Sequence, residues 1–227
     1  MKYRIDGDGD RVVLLAGALG TTLELWEPQL PALTPRFRVL RYESVVPFDT
    51  VVALLDELGL ERVSFCGLSL GGIVGMWLAL EQPERIDRLV LAATSARFAT
   101  PSYWEERADL VLEGGLAAVA DVTLERWFTP SFPDMRRYRE MLLSTSPEDY
   151  VQACAALRDW DVRDRVDRIS APTLAVAGAD DPSTPPADLE FIAAAIPGAR
   201  LKVINGARHL PNVERPEAFN EAVLAHL

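Results

Sequence analysis

Residues 63–80 constrain the fold of this chain more than any other stretch. An apolar, partly β-branched run, Val63-Ser64-Phe65-Cys66, passes through Gly67-Leu68-Ser69-Leu70-Gly71-Gly72 straight into an apolar segment, Ile73 to Leu80, with the pattern of a buried helix. A strand that turns into a helix within so few residues holds the intervening serine on a strained turn, its hydroxyl lifted above the sheet. At Gly67 and Gly71 a side chain would collide with neighbouring backbone. The following helix aims its N-terminus and free N–H groups at the place where negative charge develops in acyl transfer. A glycine-rich turn with an incidental serine would carry the same pentapeptide, so the rest of the chain must decide.

The rest alternates strand and helix. Val12-Val13-Leu14-Leu15-Ala16 reads as a strand ending at Gly17-Ala18-Leu19-Gly20-Thr21, and a modest helix is predicted over Leu23 to Leu33, with Pro28 in its first turn and Pro31 ending or kinking it. Arg38 to Tyr42 is a strand and Asp49 to Leu58 a helix closed by Gly59. Further strands are Ile86 to Ala92, Thr173 to Ala177 and Leu201 to Ile204; further helices are Leu189 to Ile196 and Pro216 to Leu227. Short apolar strands between helices imply a mainly parallel α/β sheet covered on both faces, with ligands at the carboxyl ends of its strands. At 227 residues the chain can bury one substantial core.

The stretch 96–169 breaks this alternation. Tyr103 to Leu112, Leu116 to Trp127, Met135 to Leu143 and Pro147 to Asp159 read as short helices between two sheet strands, the expected position of a cap over a site. The expected division is thus a core of residues 1–95 and 170–227 and a helical cap of residues 96–169. Trp104, Trp127, Phe128 and Trp160 are candidates to line the pocket, although Trp104 and Trp160 read better as packing between cap and core.

Polar residues fall where the chemistry needs them. Asp180 and Asp181 follow the strand ending at Ala177-Gly178, and His209 follows the strand ending at Ile204. Ser69, Asp181 and His209 each lie just past a strand's carboxyl end, in the order Ser…Asp…His. A serine hydroxyl is too weak an acid to attack unaided, so His209 would take and return its proton while a carboxylate fixes the imidazole tautomer. Asp181 is preferred because it precedes Pro182, with Asp180 as a turn residue. The other histidine, His226, is penultimate and is expected to be frayed or exposed. Leu70, directly after the serine, would supply one oxyanion-hole amide; Leu19, in the loop after the first long strand, would supply the other.

A net charge of −11 argues against nucleic acid and anionic membranes as partners. No apolar run is long enough to span a bilayer, and Met1-Lys2-Tyr3-Arg4-Ile5-Asp6 lacks the apolar core of a signal peptide, so cytoplasm is the expected compartment. The two cysteines form no disulfide framework, and Cys66 reads as buried filler. Two distant histidines and two cysteines give no metal-ligand cluster, so no metal or cofactor is expected. The sequence carries no signal for oligomeric state.

The elbow and the histidine loop resemble the α/β-hydrolase superfamily. Two segments are similar, more narrowly, to the 3-oxoadipate enol-lactonases, Glu125-Arg126-Trp127-Phe128-Thr129-Pro130 and Asp181-Pro182-Ser183-Thr184-Pro185-Pro186; Leu25-Trp26-Glu27-Pro28-Gln29 and His209-Leu210-Pro211-Asn212-Val213-Glu214 carry the resemblance with them. The resemblance implies an α/β-hydrolase fold and cofactor-free hydrolysis of a small carboxylated lactone by Ser69, Asp181 and His209. It also implies a functional link to a 4-carboxymuconolactone decarboxylase acting in the preceding step. Arg126 and Trp127, in the lactonase-like segment, become candidate substrate-binding residues, Arg126 pairing its planar fork with the substrate carboxylate. Adjacent helical residues point to different sides, so both face inward only if a helix ends there. One departure stands out. After Tyr42-Glu43 the relatives' Arg-Gly-rich loop is replaced by Ser44-Val45-Val46-Pro47-Phe48, which would open the pocket, alter substrate choice or mark residues missing from this chain. The alternatives are a related carboxylesterase or cofactor-free perhydrolase on another small ester and, in another class, a non-catalytic ligand-binding protein of the same fold. A haloalkane dehalogenase would carry a carboxylate in place of Ser69.

Overall fold

Seven strands form one sheet in the order β1-β3-β2-β4-β5-β6-β7 in a computed structural model that describes residues 2–43 and 46–227. They are β1 (Tyr3–Asp6), β2 (Arg11–Ala16), β3 (Phe37–Tyr42), β4 (Val63–Leu68), β5 (Ile86–Ala92), β6 (Thr173–Gly178) and β7 (Arg200–Ile204). Only β1 runs antiparallel, pairing Tyr3 with Tyr42 and Asp6 with Val39 at the edge. The remaining pairings are parallel, as Leu15 opposite Cys66 and Cys66 opposite Val90 show. Every residue of the central β4 is buried, which is why the run Val63 to Leu68 is apolar without alternation.

The helices are α1 (Leu30–Leu33), α2 (Thr50–Glu57), α3 (Leu70–Glu81), α4 (Pro101–Gly114), α5 (Ala117–Trp127), α6 (Met135–Leu143), α7 (Pro147–Asp159), α8 (Pro186–Ala195), α9 (Pro211–Glu214) and α10 (Pro216–Leu224). The single helix expected over 23–33 is two pieces: a 3-10 stretch, Leu23–Gln29, that holds Pro28, then α1 with Pro31 in its first turn, where the missing N–H costs nothing. Around the elbow, β4 runs on to Leu68 and α3 begins at Leu70, so Ser69 alone makes the reversal. The helix α9 is too short to leave a periodic signature and was not foreseen.

Between β5 and β6, α4 packs against α7, and α5 against both α4 and α6. Phe128 is fully buried there and stacks on Phe132 with ring centroids 4.1 Å apart. Trp160 donates from Nε1 to the Ser95 carbonyl at 3.2 Å and meets Phe48 edge-on, which is packing, as expected of it. Of the shortened segment after β3, Ser44 and Val45 lie outside the described residues; the Glu43 amide donates to the Lys2 carbonyl at 3.0 Å, prolonging the β1–β3 edge. Among the described residues no helix is long and apolar enough to cross a membrane, and among them no group of three or more His, Cys, Asp or Glu is placed to hold a metal ion. Cys66 is fully buried in β4, as expected.

His226 is neither frayed nor exposed: it is 5% accessible. Its Nε2–H donates to the Pro172 carbonyl at 3.1 Å, and Arg200 Nη2 donates to Nδ1 at 3.1 Å, a pairing that suits the neutral ring. Burial, with the Arg200 and Arg88 guanidiniums, holds the imidazole below its ordinary value, against the opposing pull of the Pro172 carbonyl. Below about pH 6.5 the unfolded chain therefore takes up a proton that the folded chain refuses, so stability falls as pH drops through that window. His226→Gln should flatten this slope. Urea unfolding of parent and variant at pH 7.5 and 5.5 checks it, and an equal acid loss in both would count against the coupling.

Candidate active site

The elbow is built by steric necessity. Ser69 has φ 56° and ψ −111°, its amide donates to the Ala92 carbonyl at 2.9 Å, and its own carbonyl accepts Thr94 Oγ1–H at 2.9 Å. A Cβ on Gly67 would lie 2.1 Å from the Gly71 carbonyl oxygen, and one on Gly71 would lie 2.1 Å from that of Ala16. Both glycines are thus required by close backbone approach.

The loops after β6 and β7 bring the other two residues to this turn. His209 Nε2 lies 2.9 Å from Ser69 Oγ, and His209 Nδ1 lies 2.8 Å from Asp181 Oδ2. Asp181 Oδ1 accepts the Ser183 amide at 2.7 Å and the Thr184 amide at 3.2 Å, while Oδ2 also accepts Thr184 Oγ1–H at 2.7 Å. Burial pushes the Asp181 carboxyl up, but the facing His209, Thr184 and Ser183 outweigh it and hold the group below the usual carboxylate value. All three members of the row are buried. Asp180 is exposed and joins the two loops through its amide, which donates to the Ala207 carbonyl at 3.0 Å. The carboxylate beside the histidine is therefore that of Asp181. With Nδ1–H donated to a carboxylate, Nε2 is free to accept the serine proton, the arrangement that turns a hydroxyl into a nucleophile.

Leu70 opens α3, where its amide has no carbonyl four residues back to accept it. Leu19 lies on the wall of the cavity above Ser69, and its amide makes no hydrogen bond among the described residues. Both predicted oxyanion donors thus flank the turn unengaged.

That cavity, about 60 Å³, is bounded by Ser69 and His209 below and by residues of α4, α5 and α7 above. Trp127 and Arg126 both reach it because α5 ends at Trp127, the condition under which neighbouring residues can share a side. Trp127 is buried, whereas Arg126 is half-buried with its guanidinium 5.2 Å from the centre of the Tyr103 ring. Trp104 also lines the wall, so it does more than join cap to core; Phe128 and Trp160 do not line it. Arg107 stands in the same wall and was not anticipated. The signal was present, because Trp104, Arg107 and Val111 repeat at helical spacing on the buried face of α4.

A further unanticipated residue, Glu214, ties the histidine loop to the end of α5. Its Oε1 accepts the Thr129 amide at 2.9 Å and Thr129 Oγ1–H at 2.7 Å, and its Oε2 accepts the Arg208 amide at 2.7 Å. The Leu210 amide donates to the Trp127 carbonyl at 3.2 Å across the same seam. Glu214→Ala strands two amides and should cost about 2 kcal/mol in urea unfolding, with about tenfold lower turnover as His209 loosens. Glu214→Gln should lose nearly as much, because its NH₂ faces an N–H donor in either orientation. A glutamine variant indistinguishable from the parent would show that the two oxygens are not both needed as acceptors.

Known proteins resemble this chain over nearly its whole length. Residues 8–222 match the model of the alpha/beta hydrolase family. The chain is 37% identical over 246 residues to 3-oxoadipate enol-lactonase 2 of Acinetobacter baylyi, covering 99% of this chain and 92% of that one. It is 30% identical over 249 residues to a provisionally named carbamate hydrolase, RutD, of Stutzerimonas stutzeri, covering 99% and 94%. The crystal structure of the enol-lactonase from Burkholderia xenovorans superposes with a TM-score of 0.95 at 35% identity, covering 99% of this chain and 95% of that one. A mainly parallel sheet of this order, a serine held at positive φ between β4 and α3, and a match over nearly the whole length make the chain a hydrolase belonging to the alpha/beta hydrolase family.

Proposed function

We propose that this hydrolase opens 3-oxoadipate enol-lactone to 3-oxoadipate, as the names of its enol-lactonase relatives suggest, using Ser69, Asp181 and His209 and no cofactor. The observation that carries the reading is the hydrogen-bonded row from Ser69 Oγ through His209 to Asp181, opening on a small cavity with a cationic wall. His209 Nε2 takes the serine proton as Oγ attacks the lactone carbonyl. The amides of Leu70 and Leu19 hold the resulting oxyanion. Collapse breaks the ring C–O bond, and the imidazolium returns its proton to the departing enol oxygen. Water, deprotonated by His209, then attacks the acyl-serine ester; as its C–O bond breaks the imidazolium returns that proton to Ser69 Oγ, the carboxylate is freed and the enol relaxes to the ketone. The helices α4 to α7 cap the site and exclude bulk water. Trp127 and Arg126 border the bound substrate, and the reaction follows a 4-carboxymuconolactone decarboxylase in the cytoplasm.

The test is ultraviolet-monitored hydrolysis of freshly generated enol-lactone, with fluorophosphonate labelling of Ser69 alongside. Rapid lactone loss with labelling supports the full reading. Labelling without lactone turnover would sink the lactonase assignment and leave a related esterase, and absence of both would remove the serine-hydrolase chemistry.

A further inference from the structure

Arg107 carries a charge that the protein leaves unanswered. It is 8% exposed on α4, yet no carboxylate among the described residues lies within ion-pairing distance. Its partners are all neutral oxygens. Nε donates to the Tyr150 hydroxyl at 2.8 Å, Nη1 to the Tyr103 hydroxyl at 3.3 Å, and Nη2 to Thr123 Oγ1, whose own proton goes to the Val119 carbonyl at 2.6 Å. Burial pushes the Tyr150 phenol up to about 12, so it stays protonated and offers no counter-charge. The nearby Cys154 thiol is likewise pushed up to about 11 and stays neutral.

A guanidinium taken out of water without an anion costs several kcal/mol, and proteins keep such a group only where something else answers it. Among the described residues the other buried arginine, Arg41, takes an acid, Asp6. At Arg107, three of the five N–H donors are used to hold the group, which leaves one on each terminal nitrogen. Paired donors on a planar fork match a carboxylate. The group lines the same cavity as Ser69 and His209. Arg126, in contrast, is half-buried and already engaged with the face of Tyr103.

We infer that Arg107, rather than Arg126, is the specificity residue that receives the substrate's free carboxylate, so the preferred substrates are small esters or lactones whose acyl part carries an anion. The inference rests on the serine-hydrolase reading of Ser69. In the resting protein the tyrosine and threonine hydroxyls keep the fork in place, and the substrate supplies the missing charge. This deepens the lactonase reading without depending on it, since any carboxylated ester of suitable size would be held the same way.

The experiment compares two esters of similar shape, phenyl valerate and the monophenyl ester of glutaric acid, corrected for spontaneous hydrolysis. The parent should prefer the anionic ester in kcat/KM. Arg107→Gln should lower kcat/KM for the glutarate ester by roughly 100-fold, mostly through KM, while the valerate ester changes less than about fivefold. Arg107→Lys, which keeps the charge and loses the fork, should fall between. Arg126→Gln should leave the ratio of the two esters within about threefold of the parent. Equal loss on both esters in Arg107→Gln, or a ratio that follows Arg126 instead, would overturn the inference. Should the variants fail to fold, competition in the parent decides: valerate must inhibit at least tenfold better than valeramide, and equal inhibition overturns the claim. Failure of the underlying reading shows separately, as a parent that no fluorophosphonate labels and that hydrolyses neither ester.

Discussion

Ser69→Ala is expected to lower turnover by about 10⁴- to 10⁶-fold while the fold survives, since removing a nucleophile leaves only binding and oxyanion stabilisation to act. Among the described residues the hydroxyl's one side-chain hydrogen bond is with His209 Nε2, and the helix, the sheet and both flanking glycines are untouched by its loss. Any residual activity would come from water attacking directly. A loss of less than tenfold would mean that another group attacks, and the row of Ser69, His209 and Asp181 would lose its meaning.

The same position separates function from stability. At φ 56° and ψ −111° a residue with a Cβ is strained by about 1–3 kcal/mol, whereas glycine is nearly indifferent. Ser69→Ala and Ser69→Gly lose the same hydroxyl, so the difference between them isolates the backbone. Glycine's larger unfolded-state entropy takes back about 0.4–1 kcal/mol. The glycine variant should therefore unfold about 1 kcal/mol later than the alanine variant in urea while being just as inactive. The reverse order would show that the turn is not under strain.

The sheet and the row of three were legible because both follow from local rules. Apolar runs without alternation announce strands buried on both faces, and Gly67 and Gly71 are dictated by contacts within the elbow itself and with β2 next to it. Asp181 and His209 could be located because strand ends are where such sheets bind ligands. What escaped depends on contacts between distant segments. Arg107 looks like a surface residue until α7 and α5 enclose it, although its spacing with Trp104 and Val111 was a usable warning. Glu214 and Thr184 stand in segments already singled out for their resemblance to lactonases, but their task is visible only when the strand-end loops meet. His226 stands close to the chain's end, a position that reads as exposed, whereas in the fold the Pro172 carbonyl and the Arg200 guanidinium engage its ring.

Asp181→Asn is the second change expected to be severe, at roughly 10⁴-fold in kcat, and its argument is one of hydrogen-bond direction. Oδ1 accepts two backbone amides, from Ser183 and Thr184, which cannot change into acceptors. An asparagine must therefore keep its carbonyl oxygen there and turn its NH₂ toward the place of Oδ2. That NH₂ then faces His209 Nδ1, 2.8 Å away in the parent, and can only donate to it. The imidazole is driven into the tautomer with its proton on Nε2, the atom that must accept from Ser69. The Thr184 hydroxyl can no longer donate to this position and has to turn, with His209 Nδ1 already taken. The variant should fold, keep its affinity for small carboxylates and lose fluorophosphonate labelling at neutral pH, because the serine is no longer activated. Stability gives a second readout. The parent carboxyl is held below its ordinary value, so its contribution is present above about pH 4 and is lost as pH falls toward the folded-state value. Asparagine has nothing to titrate, so this part of the acid destabilisation should be missing from the variant's urea curves. An Asp181→Asn protein that labels as fast as the parent would place the orienting carboxylate elsewhere and would overturn the direction of proton transfer drawn through His209.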